Sequence, residues 1–178
     1  MSFARVRALI VVGVLAAAAV VFVVVALVRD TQGDAVASGC ADGSVMANVT
    51  LPEDPDEVTV RVYNGTNSAG LADSVTSEFK NRGFRTQKPA VNKKKVDDVA
   101  VMRYGPEAVG SAWLLRAYFL NQAKPQYDPK RKGGTVDVVL GSRFAQLATT
   151  TEVNQSLISL GEPELPPGAC AAPGKKAS

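Results

Sequence analysis

The fold of this chain is decided by the run Val58-Thr59-Val60-Arg61-Val62-Tyr63-Asn64-Gly65-Thr66. Its first six residues alternate valine with more polar side chains, and a β-branched pattern of period two predicts a strand with one buried face. Asn64-Gly65-Thr66 then turns the chain, and Ser68 can cap a helix from about Ala69 to Arg82. The folded part therefore begins with a strand followed by a helix.

Strands and helices continue to alternate toward the C-terminus. Residue patterns typical of strands recur in Phe84–Gln87, Val99–Tyr104 and Thr135–Leu140. Gly105-Pro106 starts a helix that runs to about Asn121. This order predicts an α/β fold over residues 58–147, a small two-layer β-α-β-β-α-β domain with a four-stranded sheet. The rule of right-handed crossovers makes the last two strands parallel.

The regions beyond this domain have different compositions. Residues 29–57 are polar and broken by proline, which predicts a stalk or linker. Residues 148–170 add an extra C-terminal helix, which begins at the capping-box spacing of Thr149 and Glu152, and a Pro-rich tail. Residues 171–178 are predicted to be a disordered basic end.

The N-terminal region contains an apolar run from Ala8 to Val28, twenty-one residues without a charge. A helix of that length spans roughly the 30 Å of a bilayer core, which predicts a transmembrane helix over residues 8–28. Arg5 and Arg7 precede it, so the positive-inside rule keeps residues 1–7 in the cytoplasm and places the C-terminal domain outside. The alternative is a cleaved signal peptide, because Ala35-Val36-Ala37 fits a small-residue cleavage pattern.

Charge and composition exclude several functions. Arg5, Arg7 and Arg29 account for the net charge of +3, so Asp30–Ser178 has 17 basic and 17 acidic residues and steering toward nucleic acid is not predicted. The chain has no histidine, which removes His-ligated metal sites and the Ser-His and Cys-His nucleophile pairs. No two acidic residues are predicted to face one cleft. We therefore expect no enzyme activity, no metal and no cofactor.

The two cysteines, Cys40 and Cys170, lie at opposite edges of the folded part. An oxidising compartment favours a disulfide between them, which would close a loop of about 130 residues and stabilise the fold by roughly 5 kcal/mol in the chain-entropy treatment. Two free thiols or intermolecular bridges are the alternatives.

Candidate binding residues lie in two turns and two basic loops. Backbone amides at the turns suit a phosphate or carboxylate, and the parallel strands predict that both turns share one edge of the sheet. The basic loops each precede a strand of the parallel pair, so they should meet at the opposite edge and could bind an anionic polymer. Glycine for turn geometry and ordinary solvated lysines are the structural alternatives. The turn residues are Asn64, Gly65, Thr66, Tyr104 and Gly105; the loop residues are Lys93, Lys94, Lys95, Lys130, Arg131 and Lys132.

The second helix is apolar on more than one face. Trp113, Leu114 and Leu120 exceed what a single core stripe needs, so the helix is either covered by the C-terminal tail or offers a surface to a protein partner. We favour the first interpretation. Tyr63, Tyr104 and Trp113 could also stack on sugars.

A set of short motifs resembles the LytR C-terminal domain (LytR_C). The resemblance covers about Val58 to Leu147, and the layout of membrane helix, stalk, domain and flanking cysteines is similar to that of actinobacterial envelope-integrity (Cei-type) proteins. The motifs are Val60-Arg61-Val62-Tyr63-Asn64-Gly65-Thr66, Ala69-Gly70-Leu71-Ala72, Gly83-Phe84, Tyr104-Gly105-Pro106 and Val138-Val139-Leu140-Gly141.

The resemblance implies a non-catalytic accessory of the cell envelope. Such a protein would bind peptidoglycan or an attached wall polymer, or associate with the LytR-CpsA-Psr enzymes that attach polymers, and would support envelope integrity. The catalytic LytR-CpsA-Psr part is absent from the sequence, so its activity is not carried over. The alternative function is a protein-protein adaptor that uses the apolar face of the second helix.

Overall fold

The computed structural model describes Gly13, Ala16, Ala19, Cys40 and residues 44–171, and the chain divides into two units, Met1–Gly39 and Cys40–Ser178. In the first unit the three described residues are helical. The rest of the predicted transmembrane segment 8–28 lies outside the described residues, as do residues 1–7 and 172–178. Among the residues that are described, none of the helices combines the length and apolar content that crossing a membrane requires.

The second unit alternates strands and helices. Short 3-10 turns at Pro55–Glu57 and Pro106–Ala108 lead into a strand and a helix respectively. The elements are β1 Val45–Ala47, β2 Thr59–Asn64, α1 Leu71–Asn81, β3 Arg85–Thr86, β4 Ala90–Val91, β5 Ala100–Tyr104, α2 Val109–Tyr118, β6 Ala123–Tyr127, β7 Thr135–Leu140, α3 Thr150–Leu160 and β8 Ala169–Ala171. The α/β class and the predicted helix-strand order around β2, β5 and β7 are confirmed.

The main sheet has six strands rather than the predicted four. Its order is β3-β2-β7-β5-β6, and β4 also pairs with β2. β4 and β6 are the two strands of this sheet that the sequence pattern did not predict. In β6 only Ala123 is buried, and Pro125 occupies its middle. A strand at a sheet edge tolerates proline and polar side chains because one of its sides is unpaired, so it lacks the apolar pattern of a central strand.

The predicted parallel pairing of the last two strands is wrong. β7 is parallel to β2 but antiparallel to β5, and the strand parallel to β5 is the missed β6. The crossover through α2 therefore exists, but it ends one strand earlier than predicted. This reversal changes which loops share an edge of the sheet.

The core lies between one face of the sheet and the helices. The alternating valines of β2 are fully buried, and α1 packs on that strand through Ala72, Val75 and Phe79. Phe84 and Tyr118 stack edge-on at a centroid distance of 5.0 Å beside Phe79. The other face of β2 and β5 carries Arg61 and Arg103 among other half-buried residues.

The end of the predicted linker, from Val45 onward, packs on the domain. β1 pairs in parallel with β8, and Ala47 is fully buried. Asn48 donates its backbone N–H to Pro106 O and accepts from Gly110 N at 3.0 Å. A Cβ on Gly110 would lie 1.9 Å from Thr50 O, so glycine is required for this close approach. The polar composition of this segment concealed its backbone contacts.

The predicted Cys40–Cys170 disulfide is confirmed, with the Cα atoms 5.8 Å apart. Both cysteines are therefore used within the chain, and the alternatives of free thiols or intermolecular bridges are excluded. The bond and the β1–β8 pair together hold the C-terminal tail to the segment that precedes the main sheet.

Candidate functional site

The antiparallel arrangement of β5 and β7 separates the predicted site residues into two groups. At the Gly65 end, where β2 and β7 end and β5 begins, lie Asn64-Gly65-Thr66 and Lys93–Lys95. At the Gly105 end, where β5 ends and β7 begins, lie Tyr104-Gly105 and Lys130–Lys132. The predictions that the two turns share an edge and that the two basic loops meet are therefore wrong. Each turn instead shares an end with one basic loop.

The turn at the Gly65 end is occupied by its own hydrogen bonds. The buried Asn64 side chain accepts from Thr66 N at 2.9 Å and donates to Ser68 O at 2.6 Å. Gly65 N donates to Leu140 O at 2.9 Å, and a Cβ on Gly65 would lie 2.6 Å from the same oxygen. These contacts support the structural interpretation of the Asn-Gly-Thr sequence as a tight turn.

The cations at the Gly65 end are partly paired. Lys124 and Arg143 contact Asp98 Oδ1 at 2.9 and 2.6 Å, and Lys95 donates to Thr66 O. The hydrogen bond from Lys124, followed by that from Arg143, lowers the pKa of the Asp98 carboxyl against an opposing effect of desolvation. Lys93 and Lys94 remain exposed on a loop.

At the Gly105 end the protein surface forms a concave cavity of about 470 Å³, which we call the basic groove. Arg131 contacts Asp137 Oδ2 at 3.0 Å and donates to Thr135 O at 3.3 Å. Arg103 donates to Gln126 Oε1 at 3.2 Å and to Asn92 Oδ1 at 3.3 Å. The groove is lined by Arg103, Gln126, Tyr127, Asp128, Pro129 and Arg131.

Behind the groove lies an arginine row on the sheet face opposite the helices. Arg61 and Arg103 are the register partners of Asp137 on its two neighbouring strands. Arg61 stacks over Tyr63 with 5.0 Å to the ring centroid, and among the described residues its buried Nε has no hydrogen-bond partner. One buried carboxylate therefore contacts the Arg131 guanidinium and lies in register between two further arginines, Arg61 and Arg103.

Sequence reasoning identified Arg131 but missed Arg61, Arg103, Gln126 and Tyr127. The available signal was that Val60-Arg61-Val62 and Met102-Arg103-Tyr104 each place an arginine on the polar face of a strand. This pattern could be interpreted only with the strand order, which places both arginines in register with Asp137.

Gly105 allows the basic loop to pack closely on the end of β5. A Cβ at this position would lie 2.3 Å from Arg131 O, so the basic loop rests directly on the glycine. Gly133 N donates to Glu107 Oε1 at 3.0 Å and fixes the end of that loop. Lys130 and Lys132 stay exposed at the rim of the groove.

A second cavity, of about 310 Å³, adjoins the groove, and we call it the aromatic pocket. Arg116 stacks over Trp113 with 4.6 Å to the ring centroid, and the Tyr104 and Tyr127 rings lie 5.8 Å apart. Burial raises the pKa of both tyrosine hydroxyls above its usual value. The pocket is lined by Tyr104, Trp113, Arg116, Pro125, Tyr127, Glu164, Leu165, Pro166 and Pro167.

The C-terminal tail covers the predicted partner surface on α2. Trp113 and Leu114 are each only 7% exposed, and Trp113 Nε1 donates to Gly161 O at 3.0 Å. Leu120 is 43% exposed just beyond the helix. The tail therefore covers most of Trp113 and Leu114, Trp113 also lines the aromatic pocket, and α2 is sandwiched between the sheet, α3 and the tail.

The comparisons with known proteins concern most of this unit. A family model described as LytR cell envelope-related transcriptional attenuator (LytR_C) matches residues 57–144. The chain is also similar to the solved soluble domain of a conserved hypothetical secreted protein from Mycobacterium marinum, with 25% identity and a TM-score of 0.47 over 68% of this chain and 82% of that one. No curated protein matches the chain.

Proposed function

Because the chain carries a LytR_C domain over residues 57–144, we propose that it is a non-catalytic cell-envelope protein that binds peptidoglycan or an attached wall polymer. In this role it supports the integrity of the envelope from outside the cytoplasmic membrane. The apolar run 8–28 anchors it, with residues 1–7 in the cytoplasm. The Cys40–Cys170 disulfide supports this placement, because such bonds persist in oxidising compartments.

The observation that carries the proposal is the guanidinium-lined basic groove at the Gly105 end. The groove, the loop and turn that flank it and the arginine row together carry five cationic and three acidic side chains, an excess of two positive charges, and Arg103 and Arg131 are held in place by hydrogen bonds. Fixed guanidinium groups bind carboxylate and phosphate with little further loss of conformational freedom. The cations are Arg61, Arg103, Lys130, Arg131 and Lys132; the acids are Glu107, Asp128 and Asp137.

The Gly65 end also carries positive charge, but its lysines are not held in a cavity as the arginines of the basic groove are. Lys124 and Arg143 already share Asp98, and the exposed Lys93 and Lys94 lie on a loop rather than in a cavity. We therefore assign polymer binding to the Gly105 end and use the Gly65 end as the matched comparison.

The test is a pull-down of the full-length protein, in detergent, with purified cell-wall sacculi before and after the covalently attached polymers are stripped. Binding that survives stripping assigns the ligand to peptidoglycan, and binding lost on stripping assigns it to the polymer. Binding should weaken as salt rises because the contacts are electrostatic. No binding to either preparation would contradict the proposed function.

Two triple variants with equal change in charge locate the site. The change Arg103→Gln, Lys130→Gln and Lys132→Gln should weaken binding about tenfold or more, because one charge-assisted hydrogen bond contributes about 1.5–3 kcal/mol. Lys93→Gln, Lys94→Gln and Lys95→Gln should leave binding within about twofold, as expected for screened surface charges. The reverse result would move the site to the Gly65 end. Arg131 is left unchanged because it pairs with Asp137.

We also propose association with LytR-CpsA-Psr enzymes, and only the match to the LytR_C family supports this part of the proposal. The adaptor alternative loses its predicted surface, because Trp113 and Leu114 are buried. Crosslinking in whole cells tests both: capture of such an enzyme through residues around Leu120 would support an adaptor role.

A further inference from the structure

We infer that the aromatic pocket is a sugar subsite, so that the ligand is an acidic glycan with a sugar ring in the pocket and its acid group in the basic groove. This inference rests on the proposed function and narrows its ligand from a wall component to a chain of sugars that carries carboxylate or phosphate groups.

The pocket combines flat apolar surfaces with unused polar atoms. The half-buried Tyr127 ring lines it together with the largely buried Tyr104 and Trp113, while Arg116 Nε and Tyr127 Oη are buried and, in the described part of the chain, without a hydrogen-bond partner. Buried polar atoms are normally satisfied, so these two are free to accept a water or a ligand hydroxyl as a partner. A sugar ring has apolar C–H faces for aromatic rings and hydroxyls at its rim for such polar atoms. A free anion would leave the aromatic surfaces unused.

The pocket and the groove are neighbours on the chain and in space. Tyr127 lines both cavities, and Pro125, Gln126 and Tyr127 are successive residues of β6. Tyr127 pairs in register with Tyr104, and Gln126 pairs with Arg103. A glycan that crosses the exposed edge of β6 therefore meets the aromatic rings and the Arg103 guanidinium one after the other.

The C-terminal tail makes one wall of the pocket. Residues 164–167 line it, the Trp113–Gly161 hydrogen bond holds their start, and β8 with the disulfide holds their end. Three prolines in the tail, Pro163, Pro166 and Pro167, restrict its backbone. A wall held at both ends forms the pocket before the ligand arrives, which lowers the entropic cost of binding.

Trp113 is the chain's one tryptophan, so its fluorescence reports on this pocket. We would titrate the full-length protein with four probes: the neutral N-acetylglucosamine tetramer, a peptide-free tetrasaccharide of N-acetylglucosamine and N-acetylmuramic acid, its 6-phosphorylated form, and inorganic phosphate. The sugars should change the fluorescence in a saturable way. The acidic sugars should bind about tenfold more tightly than the neutral one, through one charge-assisted contact. The phosphorylated probe carries both acid groups, so tighter binding of it than of its unphosphorylated parent would assign the groove to phosphate, and equal binding would assign it to carboxylate.

Variants separate the two subsites. Arg103→Gln should abolish the preference for acidic over neutral sugars. Tyr127→Phe, which keeps the ring and removes the unpartnered hydroxyl, should weaken all three sugars about threefold to tenfold. Tyr118→Phe is the matched control, because Tyr118 packs against Phe84 outside the pocket, and it should bind like the unchanged protein.

Fluorescence that is unchanged by every sugar, or fully changed by phosphate alone, would overturn the sugar subsite. Its failure is distinguishable from failure of the proposed function. Sacculi that retain a protein with unresponsive Trp113 would preserve wall binding and reject the pocket. A protein that binds the tetrasaccharides but not sacculi would preserve the pocket and reject wall binding.

Discussion

Asp137 organises the charged face of the sheet at the level of single residues. Its side chain is largely buried, contacts Arg131, and lies in register between Arg61 and Arg103. Without this carboxylate three guanidinium groups would crowd one surface of low exposure. The same residue therefore stabilises the fold and leaves a surplus of positive charge for a ligand.

Asp137→Asn should lower the free energy of unfolding by about 2–3 kcal/mol, because removal of one partner leaves a half-buried guanidinium unpaired. Urea denaturation measures the change. Glu78→Gln is the control, since Glu78 pairs with Arg82 at a more exposed site, and it should cost about 0.5 kcal/mol or less. Equal losses in the two variants would contradict the role assigned to Asp137.

Asp98 predicts a dependence of stability on acid pH. Its hydrogen bonds to Lys124 and Arg143 lower its pKa in the folded state relative to the unfolded state. The folded state then binds this proton less readily, so the contribution is present above the unfolded pKa and is lost as the pH falls through the folded pKa. An NMR titration should find the Asp98 midpoint below that of an ordinary aspartate. Lys124→Gln should move it upward, and an unmoved midpoint would contradict the assigned cause.

Among the elements, the peripheral strands β1, β6 and β8 border the two cavities and hold the C-terminal tail. β6 separates the basic groove from the aromatic pocket, and β1 with β8 ties the tail across the domain. Each has five residues or fewer, and each depends on its neighbours for its conformation. Peripheral strands therefore border both cavities, while the central strand β5 supplies Arg103 and Tyr104 to their lining as well as part of the core.

Replacement of Cys40 and Cys170 together by serine should lower the free energy of unfolding by up to about 5 kcal/mol, the chain-entropy value for a loop of 130 residues. Calorimetric unfolding measures this. The emission of Trp113 should also shift to longer wavelength before global unfolding, because the tail that holds Gly161 against it loses its covalent tether. A double variant with unchanged emission would show that the tail stays in place without the bond.

The whole molecule is expected to work at a surface rather than in free solution. The apolar run 8–28 predicts an anchor, and a neutral external part does not depend on long-range attraction to reach the wall. An anchored binder can instead rely on its high local concentration beside the polymer.

Cell fractionation tests this topology. The full-length protein should remain with membranes after an alkaline carbonate wash, and protease added to spheroplasts should digest the domain from outside. N-terminal sequencing of the mature protein should find Met1 or Ser2. A new N-terminus after Ala37 would instead identify a cleaved signal peptide.

A helix or strand could be predicted from the sequence where residues close together in the chain show its pattern. The alternation of Val58, Val60 and Val62 and the capping box of Thr149 and Glu152 are local patterns, and both appear in the structure where expected. β6 could not be predicted this way, because Lys124, Pro125 and Gln126 carry no apolar period and owe their extended form to pairing with β5.

The sequence by itself determined the α/β class, the central strands and helices, and the disulfide, because periodicity, capping and a single possible cysteine pair need no knowledge of distant contacts. Only the tertiary structure decided the direction of β5 against β7, the packing of residues 45–51, and the meeting of Arg61, Arg103, Arg131 and Asp137. These features depend on which strands become neighbours. The pairing of strands is set by the packing energy of the whole domain, and this energy cannot be read from any short stretch of sequence.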